Sequence, residues 1–551
     1  MSTLRYNLIN ATINRATLLT DTNIHNDIHK QFEFQKQTVL ADKILTNDEK
    51  TEAIRLLTKK YDRDKVIDNS GTRRICENCN QECLATLYCE YCVRNYLKEN
   101  FSNWTSGNDN IDNLIRKCQM ETFLPSYIVE WIPYSNLENI KYLTKGGFSE
   151  IYTADWINGY YDEWDSKKQQ LKRIERPGIQ NLMVKVVLKK LENVESANRS
   201  WFEEAKTHLT LSNKWAEIVR CYGLTQNPSN GNYMLVMMKM DIDLRNYLQQ
   251  NKLTWKERIN IAFQIIKKLH KIHYEKAIHR DLHSGNILFS QFNDYWYISD
   301  LGFCGPADKS SKSIYGNLPY IAPEIIVGKE YTFASDIYSI AILMWEISSG
   351  QPPFINYEHE NEIVMNIING IRPKIVAGTP LEYKNLMKEC WDADPLKRPD
   401  VDTLWDKVEK LHLDYQNMPD ELFHSENNSE INKSNESRAN YTSSRLFTSK
   451  IHNFENLPEP RNATEEEQEA FHSKSYDYSI PDNIDDFNKS SKHNSNRSSK
   501  IINIFKGSSK RLSKVFKKLQ INSNDDDEEV YNNPNLHSKE QDELEIPEDG
   551  F

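Results

Sequence analysis

The stretch AIHRDLHSGNILFS, from Ala277 to Ser290, crowds His279, Arg280, Asp281, His283 and Asn286 between apolar Ile278 and the run Ile287-Leu288-Phe289. An acid and an amide five residues apart, on a turn bounded by apolar residues, constrain the chain more than any other segment. A His-Arg-Asp triplet alone is compatible with a surface turn that collects polar residues. Its meaning depends on the rest of the sequence.

Composition divides the chain. At 551 residues it is too long for one ordinary core. An apolar fraction of 38%, with abundant Asn, Ser, Lys and Glu, points to folded parts alternating with solvated ones. Residues 1–70 are polar and partly helical, with Thr46-Asn47-Asp48-Glu49 fitting a capping box ahead of Ala53, Ile54 and Leu57. Residues 71–131 are Cys-rich. From 132 to 415 the sequence is regular and apolar, with strand-like runs first and long helix-like runs afterwards. Residues 416–551 have little to bury and read as a disordered tail. No apolar run approaches the ~18 residues of a membrane-spanning helix. The start, MSTLRYNLIN, lacks a secretory layout. A cytoplasmic location is expected, with the nucleus as the alternative. The net charge of −11, from 69 basic and 80 acidic residues, argues against wholesale nucleic-acid binding.

Within 132–415, Asp281 suits a base that takes a proton from a substrate hydroxyl beside a metal-bound triphosphate, and Asn286 offers magnesium a neutral oxygen. Fourteen residues after Asn286, following Tyr295-Trp296-Tyr297-Ile298, comes Asp300-Leu301-Gly302. Ala322-Pro323-Glu324, Ser335-Asp336-Ile337-Tyr338-Ser339, Cys390-Trp391-Asp392-Ala393-Asp394-Pro395 and Arg398-Pro399 follow in order. His-Arg-Asp-Leu-x-x-x-Asn with these partners resembles the tyrosine-kinase-like group of eukaryotic protein kinases. The resemblance implies an α+β fold of two lobes, a five-stranded antiparallel sheet with one helix and a larger helical lobe, with ATP and Mg2+ between them. It implies a metal-binding role for Asp300 beside Asn286, Leu301 standing where such kinases carry Phe, and a buried ion pair between Glu324 and Arg398. Protein hydroxyls would be the substrates, serine or threonine ahead of tyrosine. The alternative is a weak or inactive kinase-like scaffold, motivated by Thr144, Ser149, His283 and Asn317 at altered positions.

Under that resemblance the nucleotide grip lies upstream. Lys145-Gly146-Gly147-Phe148-Ser149 aligns with the phosphate-covering hairpin, Thr144 and Ser149 replacing its first and third glycines. Lys189 in Val186-Val187-Leu188-Lys189 would hold the α and β phosphates. Lys185 is the rival, set aside because it precedes the Val186-Val187-Leu188 run and has no matching strand register. Glu204 would pair with Lys189, Glu203 being the runner-up. In the buried strand-like run Tyr233-Met234-Leu235-Val236-Met237, Met237 would sit behind the adenine and Met238 and Met240 along the hinge, although methionines here equally fit core filling. Thr144, Gly146, Gly147, Ile151, Val187 and Leu288 complete the nucleotide-contacting set.

His283 stands where serine/threonine kinases place a lysine. One reading gives it a partial charge near phosphate as a substitute for that lysine; the other has it packing and hydrogen-bonding only. Asn317 likewise replaces the usual substrate-loop threonine. Arg280 directly before Asp281 points to control by phosphorylation at Ser310, Ser311, Ser313 or Tyr315.

Two further features lie outside this frame. Cys76-x-x-Cys79 and Cys89-x-x-Cys92 are spaced like the knuckles of a structural zinc site, with Cys83 left over; buried reduced thiols are the alternative. In the tail, residues 497–520 are basic and acid-free, with Leu512, Val515, Phe516 and Leu519 at helical spacing. They fit either a basic amphipathic helix for an anionic membrane or calmodulin-like partner, or a disordered linker.

Overall fold

The computed structural model describes residues 4–21, 24–122, 124–146, 149–174, 183–192, 201–215, 218–306, 314–357, 359–418 and 448–473, all within one compact unit spanning residues 1–473. The N-terminal part is helical: α1 (Tyr6–Leu18), α2 (Ile28–Ala41) and α3 (Asn47–Ile67) bury Ile9, Ala16, Val39, Ala53 and Leu57 against one another. The capping box at Thr46 forms, the Thr46 amide donating to Glu49 at 2.9 Å and the Glu49 amide to Thr46 Oγ1 at 3.3 Å. Both satisfy N–H groups that a helix start leaves without partners. The Cys-rich part follows as a hairpin of β1 (Arg74–Ile75) and β2 (Glu82–Cys83), then α4 (Glu90–Glu99) and α5 (Asp109–Glu121).

The N-terminal lobe holds β3 (Glu130–Trp131), β4 (Leu137–Lys145), β5 (Glu150–Ile157), a hairpin of β6 (Tyr161–Asp165) and β7 (Gln170–Arg173), β8 (Met183–Lys190), α6 (Trp201–Lys214), β9 (Cys221–Gln226) and β10 (Tyr233–Met238). Its main sheet has the order β3-β9-β10-β8-β5-β4. It is six-stranded, not the expected five, because β3 adds parallel to β9 while every other pairing is antiparallel. Gly223 permits that addition: its φ is +150°, and a Cβ there would lie 1.8 Å from the Glu130 carbonyl oxygen.

Contacts cross the boundary expected near residue 131. Ile111, Ile115 and Cys118 of α5 are buried in one cluster with Ala205 and Leu209 of α6, so part of the Cys-rich region packs into the lobe. The β6–β7 hairpin gives Trp164 and Leu171 to the apolar cluster around the cysteines.

The C-terminal lobe comprises β11 (Ile242–Asp243), α7 (Leu244–Gln250), α8 (Trp255–Tyr274), β12 (Ala277–Ile278), β13 (Ile287–Ser290), β14 (Tyr295–Ile298), β15 (Gly305–Pro306), β16 (Ile314–Gly316), α9 (Pro323–Ile326), α10 (Phe333–Ser349), α11 (Glu360–Ile368), α12 (Leu381–Cys390) and α13 (Val401–Asn417). α10 buries fourteen consecutive residues from Ser335 to Ser348 and forms the middle of this lobe's core. Within the tail expected to be disordered, residues 448–473 carry regular structure: β17 (Lys450–His452) pairs with β16, and α14 (Glu465–His472) follows. Residues 497–520 lie outside the described residues. No described helix is long and apolar enough to cross a membrane.

Candidate active site

Strand alternation places Lys189. Val186 and Leu188 enter the apolar cluster on one face of β8, which turns Val187 and Lys189 to the other face. There Lys189 Nζ meets Glu204 Oε1 at 2.9 Å and Asp300 Oδ1 at 2.5 Å. Glu204 is 2% exposed, whereas Glu203 is half exposed and reaches Lys206 at 3.9 Å. Lys185 shares the strand parity of Lys189, so register does not separate the two. Position along the strand does, since Lys185 sits at the exposed end and pairs with Asp155 at 2.8 Å.

Asp300 adopts φ +54° and accepts the Gly302 amide at 3.2 Å. This left-handed turn sends Leu301 into the core, fully buried. An aliphatic residue therefore fills the place after the aspartate without exposing apolar surface.

Asp281 is held by its neighbours' backbone. Asp336 accepts the amides of His279 at 2.8 Å and Arg280 at 3.0 Å, and is itself bonded to His273 at 2.9 Å. Burial opposes the charge on Asp336, but these bonds keep its carboxyl below the ordinary range. Arg280 takes φ +69°, a conformation affordable only where the surrounding bonds over-determine it. Asn286 Nδ2 donates to the Asp281 carbonyl at 3.0 Å, leaving the amide oxygen as a potential cation ligand. Burial, then the charge of Asp300, pushes Asp281 up to about 7. Lys189, Asp300 and Asp281 thus belong to one site.

The surroundings of His283 favour its neutral form. Burial and the charge of Arg245 push it down to about 3, so it is neutral at neutral pH. Its Nδ1 accepts the Gly285 amide at 3.1 Å, which puts the proton on Nε2, 3.0 Å from the hydroxyl of Ser449. That hydroxyl donates to Asp281 Oδ1 at 2.9 Å, and the Asn317 amide reaches the same oxygen at 3.3 Å. Neither Asp336 nor Ser449 was among the predicted site residues. The first lay in a recognised motif without an assigned role, and the second in a stretch assigned to the disordered tail.

A family model described as protein tyrosine and serine/threonine kinase matches residues 137–408. The chain carries a protein kinase domain. Human "dual serine/threonine and tyrosine protein kinase" is 35% identical over 170 residues, covering 30% of this chain and 18% of the relative. Its Pimephales promelas namesake is 33% identical over the same shares. A "probable serine/threonine-protein kinase" of Dictyostelium discoideum is 26% identical over 295 residues, 51% of this chain and 20% of the relative. The chain thus aligns with a fifth or less of the length of these relatives.

In kinase terms, the residues expected to face the nucleotide occupy connected strands. Thr144 pairs with Ile151, Ile151 with Lys189, and Val187 with Met237. Met237 is buried, and Met238, Met240 and Leu288 pack partly buried against the cluster that contains it. Gly146 closes the β4–β5 turn through its amide to Ser149 O at 2.8 Å; Gly147 lies outside the described residues. The donor set fits a magnesium nucleotide: a lysine for phosphate oxygens, and hard oxygens on Asp300 and Asn286 for the cation. Of the residues expected to carry regulatory phosphate, Ser310, Ser311 and Ser313 lie outside the described residues. Tyr315 is buried, its ring stacked on Phe303 with centroids 3.4 Å apart.

The four cysteines converge. Cys76 Sγ lies 3.7 Å from Cys92 Sγ, Cys79 Sγ lies 3.6 Å from Cys89 Sγ, and all four fall within 4.8 Å of one another. Metal–sulfur bonds of about 2.3 Å in a tetrahedron imply sulfur–sulfur edges of about 3.8 Å, so this spacing suits zinc. It is too wide for disulfides. Cys83 is buried beside them.

Proposed function

We propose that the kinase domain is an active enzyme that transfers the γ-phosphoryl group of ATP to serine or threonine hydroxyls of proteins. The observation that carries this reading is the joint placement of Lys189 on Glu204 and Asp300 with Asp281 receiving a serine hydroxyl. Magnesium-bound ATP, when present, supplies the transferable phosphoryl group and offsets its charge. Lys189 would hold phosphate oxygens, while Asp300 and the Asn286 amide oxygen would hold the cation. Asp281 orients the acceptor hydroxyl and takes its proton as the oxygen attacks. Neutral His283, as an Nε2–H donor, positions that oxygen from the other side. A serine acceptor is supported by Ser449, which directly precedes β17 and whose hydroxyl reaches Asp281 at 2.9 Å.

The scaffold reading rests on Thr144, Ser149, His283 and Asn317 at altered positions, yet Lys189, Asp281, Asn286 and Asp300 are all retained. We also assign a structural zinc ion to Cys76, Cys79, Cys89 and Cys92. The deciding measurement is phosphate transfer from labelled ATP to a generic protein acceptor such as myelin basic protein, beside an Asp281→Asn control. Transfer that is absent, or equal in the control, would remove the enzymatic reading.

A further inference from the structure

Residues 448–473 form a strap across the C-terminal lobe, and its first turn lies over the catalytic aspartate. β17 runs antiparallel to β16 in the register Ile314↔His452, Tyr315↔Ile451 and Gly316↔Lys450. Ser449 is the next residue and is 7% exposed. Its hydroxyl is bracketed in one direction: His283 Nε2–H donates to Oγ, and Oγ–H donates to Asp281 Oδ1. An acceptor hydroxyl awaiting transfer requires this arrangement, with its proton aimed at the base and its oxygen held by a neutral donor.

The strap is built to stay. Lys450 Nζ meets Glu360 at 2.5 Å, and His452 Nε2 bonds the Gly316 carbonyl at 3.0 Å. Phe454 and Leu457 pack against the lobe's core. Asn462 accepts the Ala393 amide at 2.8 Å and donates to Asp392 at 2.9 Å. Gln468 Nε2 donates to the Gly370 carbonyl at 2.6 Å and accepts the Arg372 amide at 3.3 Å. Gly370, at φ +81°, makes room for the strap: a Cβ there would fall 2.2 Å from the Ala463 nitrogen. While the strap is down, Ser449 and the neighbouring Tyr315 are the side chains that hydrogen-bond Asp281.

We propose that Ser449 is the kinase's own phosphoacceptor in cis, and that its phosphorylation releases the strap and opens the acceptor cleft to other proteins. This inference rests on the active-kinase reading. In the step, Ser449 Oγ forms a bond to the γ-phosphorus, the bond from that phosphorus to the β–γ bridging oxygen breaks, the hydroxyl proton passes to Asp281, and ADP departs with the electron pair. The product then carries about −1.5 to −2 charges in a buried site beside Asp281 and Asp300, where like charges and desolvation expel it. Transfer therefore ends the occupancy that made it possible.

The test uses the full chain, dephosphorylated by phosphatase and then given Mg-ATP. Phosphosite mapping should find phosphate on Ser449, appearing at a first-order rate that does not change when protein concentration is varied. Transfer to myelin basic protein should show a lag that ends as Ser449 fills. Ser449→Glu should abolish the lag and raise the initial rate roughly tenfold over Ser449→Ala, as expected for a cleft moved from mostly closed to mostly open. Backbone amides of 450–457 should exchange faster with deuterium after phosphorylation. Labelling of Ser449 that scales with protein concentration overturns the cis step. Transfer to myelin basic protein without Ser449 labelling, or without a difference between the two variants, overturns the proposal and leaves the kinase reading intact. No transfer to any acceptor, even by Ser449→Glu, sinks that reading and this one with it.

Discussion

Glu324 and Arg398 face each other through two parallel hydrogen bonds of 2.7 Å, both buried. The same guanidinium also donates to the carbonyls of Asp392 and Ala334, each at 2.8 Å. One planar fork therefore ties α9, the start of α10 and the loop before α13 together. Lysine, a point charge on a flexible stem, cannot replace it.

Removing one partner leaves the other charge buried and uncompensated. Arg398→Ala should cost about 3–5 kcal/mol, and Arg398→Lys should recover only part of it. Thermal or urea unfolding of the two variants beside the parent checks this, and equal midpoints for parent and alanine variant would contradict it.

The two titrating groups around Ser449 predict opposite pH effects. Asp281 is pushed up to about 7, so the folded state retains a proton that the unfolded chain gives up above ~4. Its contribution to stability is present at low pH and is lost as pH rises through about 7. His283 is pushed down to about 3, so its contribution is present above ~6.5 and is lost as pH falls toward the folded value. Asp281→Asn should therefore be more stable than the parent at pH 8, with the difference shrinking toward pH 5, as melting curves across that range would show.

Activity gives an independent reading of the same pair. Transfer to myelin basic protein should fall as pH drops through the Asp281 range, because a protonated carboxyl cannot accept the hydroxyl proton. Cation binding at Asp300 removes part of the upward push and moves this limb lower. His283→Gln should leave the limb where it is, since the imidazole is already neutral. A limb that moves with the glutamine variant would restore the charged-histidine picture.

The cysteine cluster predicts metal content. Purified full chain should carry about one zinc per molecule, lost on Cys76→Ser together with Cys89→Ser. Because binding such a metal is coupled to folding, stripping it should lower the melting temperature of the whole unit, given that Trp164 and Leu171 of the N-terminal lobe share the cysteines' apolar cluster. Elemental analysis showing no zinc would leave these residues as buried thiols.

Some of this was legible in the residues, for definite reasons. Asp281, Asn286 and Asp300 stand in ordered motifs that resemble those of protein kinases, and that resemblance pointed to Lys189 and Glu204, which strand parity alone would not have separated from Lys185. Ser449 was not legible, because its stretch contains few apolar residues and composition averages over them. Phe454, Leu457 and the Thr464-x-x-Glu467 capping box, whose side chain and amide bonds form at 3.2 and 3.0 Å, were the available signals. The neutral state of His283 was equally hidden, since it depends on Arg245 and on burial supplied by distant segments. The sixth strand escaped notice because β3 has only two residues, too few to show alternation.

The packing of α5 on α6 leads to the last prediction. Glu204 can hold Lys189 only if α6 keeps its position, and the side of α6 away from the nucleotide is covered by Ile111, Ile115 and Cys118 of α5. These residues precede the segment matched by the kinase family model, so the Lys189–Glu204 contact depends on a neighbouring region. Ile115 is fully buried, and Ile115→Ala should cost about 2–5 kcal/mol by opening a cavity there. It should also lower the rate of transfer more than the apparent ATP affinity, because a tilting α6 disturbs the alignment of Lys189 before it loses the nucleotide. A chain beginning at residue 132 would expose the same apolar face and lose β3, and it should aggregate or fail to transfer phosphate. If such a chain were monomeric and matched the full chain in activity, α5 would be a neighbour of the kinase domain and not its brace.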